Sequence, residues 1–91
     1  MTMHNNGLTK LMEECGELIQ VAAKKAAYPD TLHHPDNHPN SLNERLAQEL
    51  ADVIAASIFV IEKFKLDQEA IELRTDTKLD LYRKWDNDPN V

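Results

Sequence analysis

Positions 43–64 form a stretch that is apolar on nearly every side and yet carries two carboxylates. Its centre, Val53-Ile54-Ala55-Ala56-Ser57-Ile58-Phe59-Val60-Ile61, is too short to span a bilayer and too apolar for a helix lying on a wet surface. At about 100° per residue, Leu50, Ile54, Ile58 and Ile61 make one apolar face, and Ala56, Phe59 and Val60 begin a second. Glu44, Gln48, Ala51, Ala55 and Glu62 are left as a solvent stripe. Glu49 and Asp52 project with the second face, which is therefore acidic at its start and apolar beyond. Carboxylates beside packed surface require protons or cations.

A helix apolar on two faces needs partners on both. The chain has 91 residues, enough for one small domain that buries a limited fraction of its surface, and such chains often gain stability by association. Sixteen acidic against ten basic residues leave a formal charge of −6, which argues against nucleic acid or an anionic membrane as partner and favours cations. The single cysteine, Cys15, falls on an apolar helix face and reads as a small buried hydrophobe. With no internal disulfide possible and no signal-peptide pattern or membrane-length span, a reducing cytoplasm is the expected compartment.

Before the central stretch, residues 1–7 read as a loose arm with Asn6 or Thr9 as helix cap. Leu8, Leu11, Met12, Cys15, Leu18, Ile19, Ala22 and Ala23 then recur at helical spacing to about position 27, with Lys24 and Lys25 near the end where the helix dipole favours them. Gly16, costing roughly 1 kcal/mol against Ala inside a helix, suggests the close approach of another backbone or a ligand. Residues 28–41 hold Pro29, Pro35, Pro39 and the histidines His33, His34 and His38. A proline-broken loop does not specify a zinc geometry, so it reads as a solvated connector, or in an oligomer as a cover for a neighbour's site. Asp67 caps a third helix running to about position 85, whose apolar arc of Ala70, Ile71, Leu81, Tyr82 and Trp85 also contains Arg74 and Lys78. A polar tail follows. The expected fold is all-α: an antiparallel bundle of three main helices in one domain, completed by oligomerisation to a dimer or tetramer.

The chemistry lies in two acidic pairs. Residues three apart on a helix share a face, so Glu14 with Glu17, and Glu49 with Asp52, can each act as an oxygen clamp. If the first two helices pack antiparallel, the four carboxylates converge. Oxygen ligands without His or Cys select a hard divalent cation, chiefly Mg²⁺ or Mn²⁺. A di-iron bundle would show Glu followed three residues later by His, and none occurs here. Glu13 lies deepest in the polar face, whereas Glu14 falls between Leu18 and Val21.

The segments Lys10-Leu11-Met12-Glu13-Glu14-Cys15-Gly16-Glu17-Leu18 and Glu49-Leu50-Ala51-Asp52-Val53-Ile54 resemble the Glu-Glu-x-x-Glu and Glu-x-x-Asp signature of the MazG-like all-α nucleoside triphosphate pyrophosphohydrolases, a superfamily that includes dimeric dUTPases, dCTP pyrophosphatases and phosphoribosyl-ATP pyrophosphohydrolases. The spacer is longer than usual in that family, and most of the helix that precedes the first motif in many members is missing. The ending Lys78-Leu79-Asp80-Leu81-Tyr82-Arg83-Lys84-Trp85 is more similar to the MazG-like and dCTPase branches than to the phosphoribosyl-ATP branch. The resemblance implies an oligomeric helical enzyme that uses Mg²⁺ to cleave a nucleoside triphosphate between its α- and β-phosphates. It places Glu14, Glu17, Glu49 and Asp52 at metal-ligand positions and Glu13 at the extra acid of the motif. A carboxylate not fully engaged by metal, Glu13 or Glu17, is expected to take a proton from water. Lys78 and Arg74, inside the third helix's arc, are the expected phosphate ligands. The alternatives are a phosphoribosyl-ATP hydrolase, or a non-catalytic helical oligomer that binds nucleotide or protein.

Overall fold

The computed structural model describes residues 3–88, and among these every regular element is helical. A short 3-10 segment, His4–Gly7, leads into α1, Leu8–Ala27; α2 is Leu42–Phe64 and α3 is Gln68–Asp86. The end of the expected polar tail lies outside the described residues.

The helix ends follow local chemistry, not always at the residues expected. Asn5 and Asn6 are left-handed, as asparagine tolerates, and neither Asn6 nor Thr9 caps α1: the cap position is Gly7 at φ 93°, with no side-chain cap bond. At α2 the Ser41 hydroxyl accepts from Glu44 N–H at 3.1 Å while the Glu44 carboxylate accepts from Ser41 N–H at 3.2 Å. This reciprocal box satisfies two donors that a helix start leaves orphaned. Asp67 caps α3 as expected, accepting from Ala70 N–H at 3.0 Å.

α1 packs on α2 along the second, acid-and-apolar face. Gly7 lies against Phe59 and Val60 at one end, Val21, Ala56 and Val60 are buried along the seam, and Leu42 is 0% exposed at the other end. The loop between them is stapled rather than free. Arg45 donates from both guanidinium Nη atoms to the two Asp36 oxygens at 3.1 Å, and Lys24 Nζ donates to Asp36 Oδ2 at 3.0 Å. Leu42 N–H adds a bond to Leu32 O at 2.9 Å. One loop carboxylate thus ties the end of α1 to the start of α2. It also draws a backbone bond from His38 N–H, while His34 and His38 each accept at Nδ1 from the N–H two residues on.

The third helix departs from the expected compact bundle. Lys65, left-handed at φ 51°, turns the chain, and only Leu66 and Asp67 separate that turn from α3. α3 does not pack along α1 or α2, and none of its residues is buried. The molecule is accordingly a thin layer of 41 × 39 × 15 Å with a radius of gyration of 16.1 Å, against about 12 Å for a compact chain of this length. The other apolar face of α2 is open: Leu50, Ile54 and Ile58 are all exposed, Ile54 by 58%. Met12 and Ile19 are exposed on the side of α1 turned away from α2. Gly16 lies between them, with nothing within 4 Å of the position its Cβ would take among the described residues.

Candidate metal centre

Glu14 lies on the arc of α1 that meets α2, close in angle to the buried Val21, and is itself only 7% exposed. Glu49 projects from the packed face of α2. Glu14, Glu17 and Glu49 each offer an oxygen such that all three lie within 4.8 Å of one another, close enough to share one hard cation through oxygen–metal bonds of about 2.0–2.6 Å. Glu14 is buried, Glu49 half-buried and Glu17 exposed, so the cluster has an inner end and a solvent mouth.

Its electrostatics are unsettled without a cation. Oε2 of Glu14 and Oε2 of Glu49 are buried and, among the described residues, accept no hydrogen bond. A buried carboxylate oxygen without a donor costs free energy, and a divalent ion is a partner chemically suited to such oxygens. The Glu17 carboxyl is pushed above its ordinary range, chiefly by the negative charge of Glu14, then by burial and by Glu49. Lys10 gives partial compensation, its ammonium 3.1 Å from Glu14 Oε1 and 3.4 Å from Glu13 Oε1. Glu14, first, and Glu13 raise its pKa in return.

Asp52 stands apart from the three-oxygen cluster but lines an adjoining cavity of about 340 Å³ with Lys10, Glu14, Ala55, Ala56 and Phe59. Glu14, Glu17 and Glu49 come together, three of the four carboxylates expected to converge, with Asp52 at the cavity wall rather than in the cluster. Glu13 is exposed and held by Lys10 outside the cluster. Arg74 and Lys78 travel with α3 and do not line the cavity, so a single chain does not bring them to the carboxylates.

Sequence reasoning missed Arg45 and Asp36. Arg45 is 7% exposed in the first turn of α2, where the helix dipole opposes a cation. That misplaced charge, together with the Ser41-x-x-Glu44 pattern, was the legible signal of a structured loop. The Asp36 carboxyl is held well below the usual carboxylate range by the Arg45 guanidinium and then by Lys24. The neighbouring His34 Nδ1 lies 3.1 Å from the Asp36 backbone nitrogen and 3.3 Å from Asp36 Oδ2.

Comparison of the chain with protein-family models, with curated proteins and with solved structures returns no match.

Proposed function

We propose that the chain is the subunit of an Mg²⁺-dependent nucleoside triphosphate pyrophosphohydrolase of the MazG-like kind, releasing a nucleoside monophosphate and pyrophosphate. The observation that carries this reading is the convergence of Glu14, Glu17 and Glu49 from two helices, with two buried oxygens left without donors. Those residues would hold the ion, with Asp52 facing substrate space beside them. A divalent cation supplies neutralisation of phosphate charge and acidification of a bound water, the two needs of phosphoanhydride hydrolysis. Mn²⁺ meets the same donor set. Glu17, exposed at the mouth and with its proton affinity raised by Glu14, is better placed than the Lys10-bound Glu13 to take a proton from water. Phe59, Ala55 and Ala56 give the cavity an apolar wall that suits the uncharged part of a nucleotide.

The same reading makes the α1–α2 pair the antiparallel half of a bundle completed by a second copy. The chain exposes 7183 Å², whereas a compact monomer of 10.4 kDa exposes about 5,400 Å². The excess of about 1,800 Å² is over twice the roughly 800 Å² that one partner contributes to a standard interface. Leu50, Ile54 and Ile58 on α2 are the surface that the second copy would cover.

The deciding experiment measures pyrophosphate release with Mg²⁺ over canonical and modified nucleoside triphosphates and phosphoribosyl-ATP. At least one substrate is expected to turn over, and Glu49→Gln is expected to lower turnover by about 100-fold or more while the helical content is retained. No release from any substrate, with nucleotide still bound, would show a binding oligomer instead. Full activity in Glu49→Gln would remove the metal assignment.

A further inference from the structure

Lys10 precedes Glu14 by four residues and shares its helix face. Its ammonium is the one cation among the described ion pairs that reaches the acidic cluster, and it also lines the cavity with Glu14 and Asp52. The three clustered carboxylates carry three negative charges when ionised, and Lys10 offsets one. Its side chain is 46% exposed, so the head group can move without unpacking a core. Among the described residues the cavity wall offers a triphosphate no other cation: its charged residues are Lys10, Glu14 and Asp52.

We propose that Lys10 is a two-position residue, holding Glu14 while the carboxylates lack a divalent cation and turning to the phosphate chain of the substrate once they share one. This rests on the cluster being a cation site, as proposed above. The physical reason is charge balance. An ammonium 3.1 Å from Glu14 Oε1 is held by a carboxylate whose charge a divalent ion would neutralise, and the ion would itself repel the ammonium. A lysine is a compact point charge on a flexible four-carbon stem, so its head can exchange one anion for another in the adjoining cavity. Lys10 would therefore oppose cation binding in the empty protein and support phosphate binding in the loaded one.

The two roles predict effects of opposite sign from a single change, which a merely structural lysine would not produce. Titration calorimetry on the full chain, with Mn²⁺ alone and then with inorganic tripolyphosphate at saturating Mn²⁺, compares the parent with Lys10→Met and Lys10→Arg. Lys10→Met is expected to bind Mn²⁺ about 3- to 5-fold more tightly, the scale of losing an exposed competing ion pair, and tripolyphosphate about 10-fold more weakly. Lys10→Arg, which keeps the charge, is expected to bind tripolyphosphate within about 3-fold of the parent. Mn²⁺ affinity unchanged or weakened in Lys10→Met, or tripolyphosphate affinity unchanged, overturns the proposal for Lys10 alone when Glu49→Gln abolishes Mn²⁺ binding. Absence of Mn²⁺ binding in the parent overturns it together with the metal-centre reading.

Discussion

Gly7→Ala is the substitution whose cost the structure specifies most closely. Gly7 sits at φ 93° and ψ −3°, a left-handed conformation costing an L-residue about 1–2 kcal/mol. A Cβ there would stand 2.6 Å from Phe59 Cδ1, 3.1 Å from Phe59 Cε1 and 3.4 Å from Val60 Cγ2. Carbon atoms settle at about 3.5–4.0 Å, so the Phe59 ring must retreat by about 1 Å or the start of α1 must lift off α2. Overpacking of this kind costs about 1–3 kcal/mol, and the smaller entropy of an unfolded alanine chain returns about 0.4–1 kcal/mol. The net loss expected is about 1–4.5 kcal/mol, a fall in Tm of at least about 4 °C for a domain of this size. Urea unfolding followed by circular dichroism, at one fixed protein concentration because association adds to apparent stability, measures it. Phe59→Leu in the same background should recover part of the loss, since the two changes share a contact. A loss below about 1 kcal/mol, or strictly additive effects of the two substitutions, would refute the close packing of Gly7 on Phe59.

Gly16→Ala, in the same helix, is expected to act in the opposite direction: with nothing within 4 Å of the new methyl, it should stabilise the dilute chain by about 1 kcal/mol, and a lower urea midpoint would contradict this. Asp36 has a folded-state pKa below its unfolded value, so its contribution is present above about pH 4 and lost as pH falls from there. The Tm gap between parent and Asp36→Asn should therefore be widest near neutral pH and close in acid; a gap independent of pH would show that Asp36 does not staple the loop. Excising residues 30–40 should lower stability for the same reason, and an equally stable shortened chain would count against that staple. Ile54→Glu, on the open face of α2, should shift sedimentation towards the monomer without altering the α1–α2 seam, and an unchanged oligomer would place the interface elsewhere.

The helices themselves, the placement of Glu14 and Glu49 on packed faces and the cap at Asp67 were readable from residue order, because periodicity, capping and the three-residue spacing of carboxylates are local properties. The surplus of apolar surface on the central helix was readable too, since a helix apolar on two faces needs two neighbours wherever they come from. Other features required the tertiary structure. Asp36 meets Arg45 and Lys24 across a proline-broken loop, a pairing between distant positions that no local pattern dictates. Lys65 in a left-handed turn, followed by a two-residue link, sends α3 away from α1 and α2, so Arg74 and Lys78 are parted from the carboxylates although both lie on the helix expected for them. The separation of Asp52 from the Glu14–Glu17–Glu49 cluster also depends on how α1 sits on α2, because a three-residue spacing gives two acids a common face but says nothing of what each one meets across the interface.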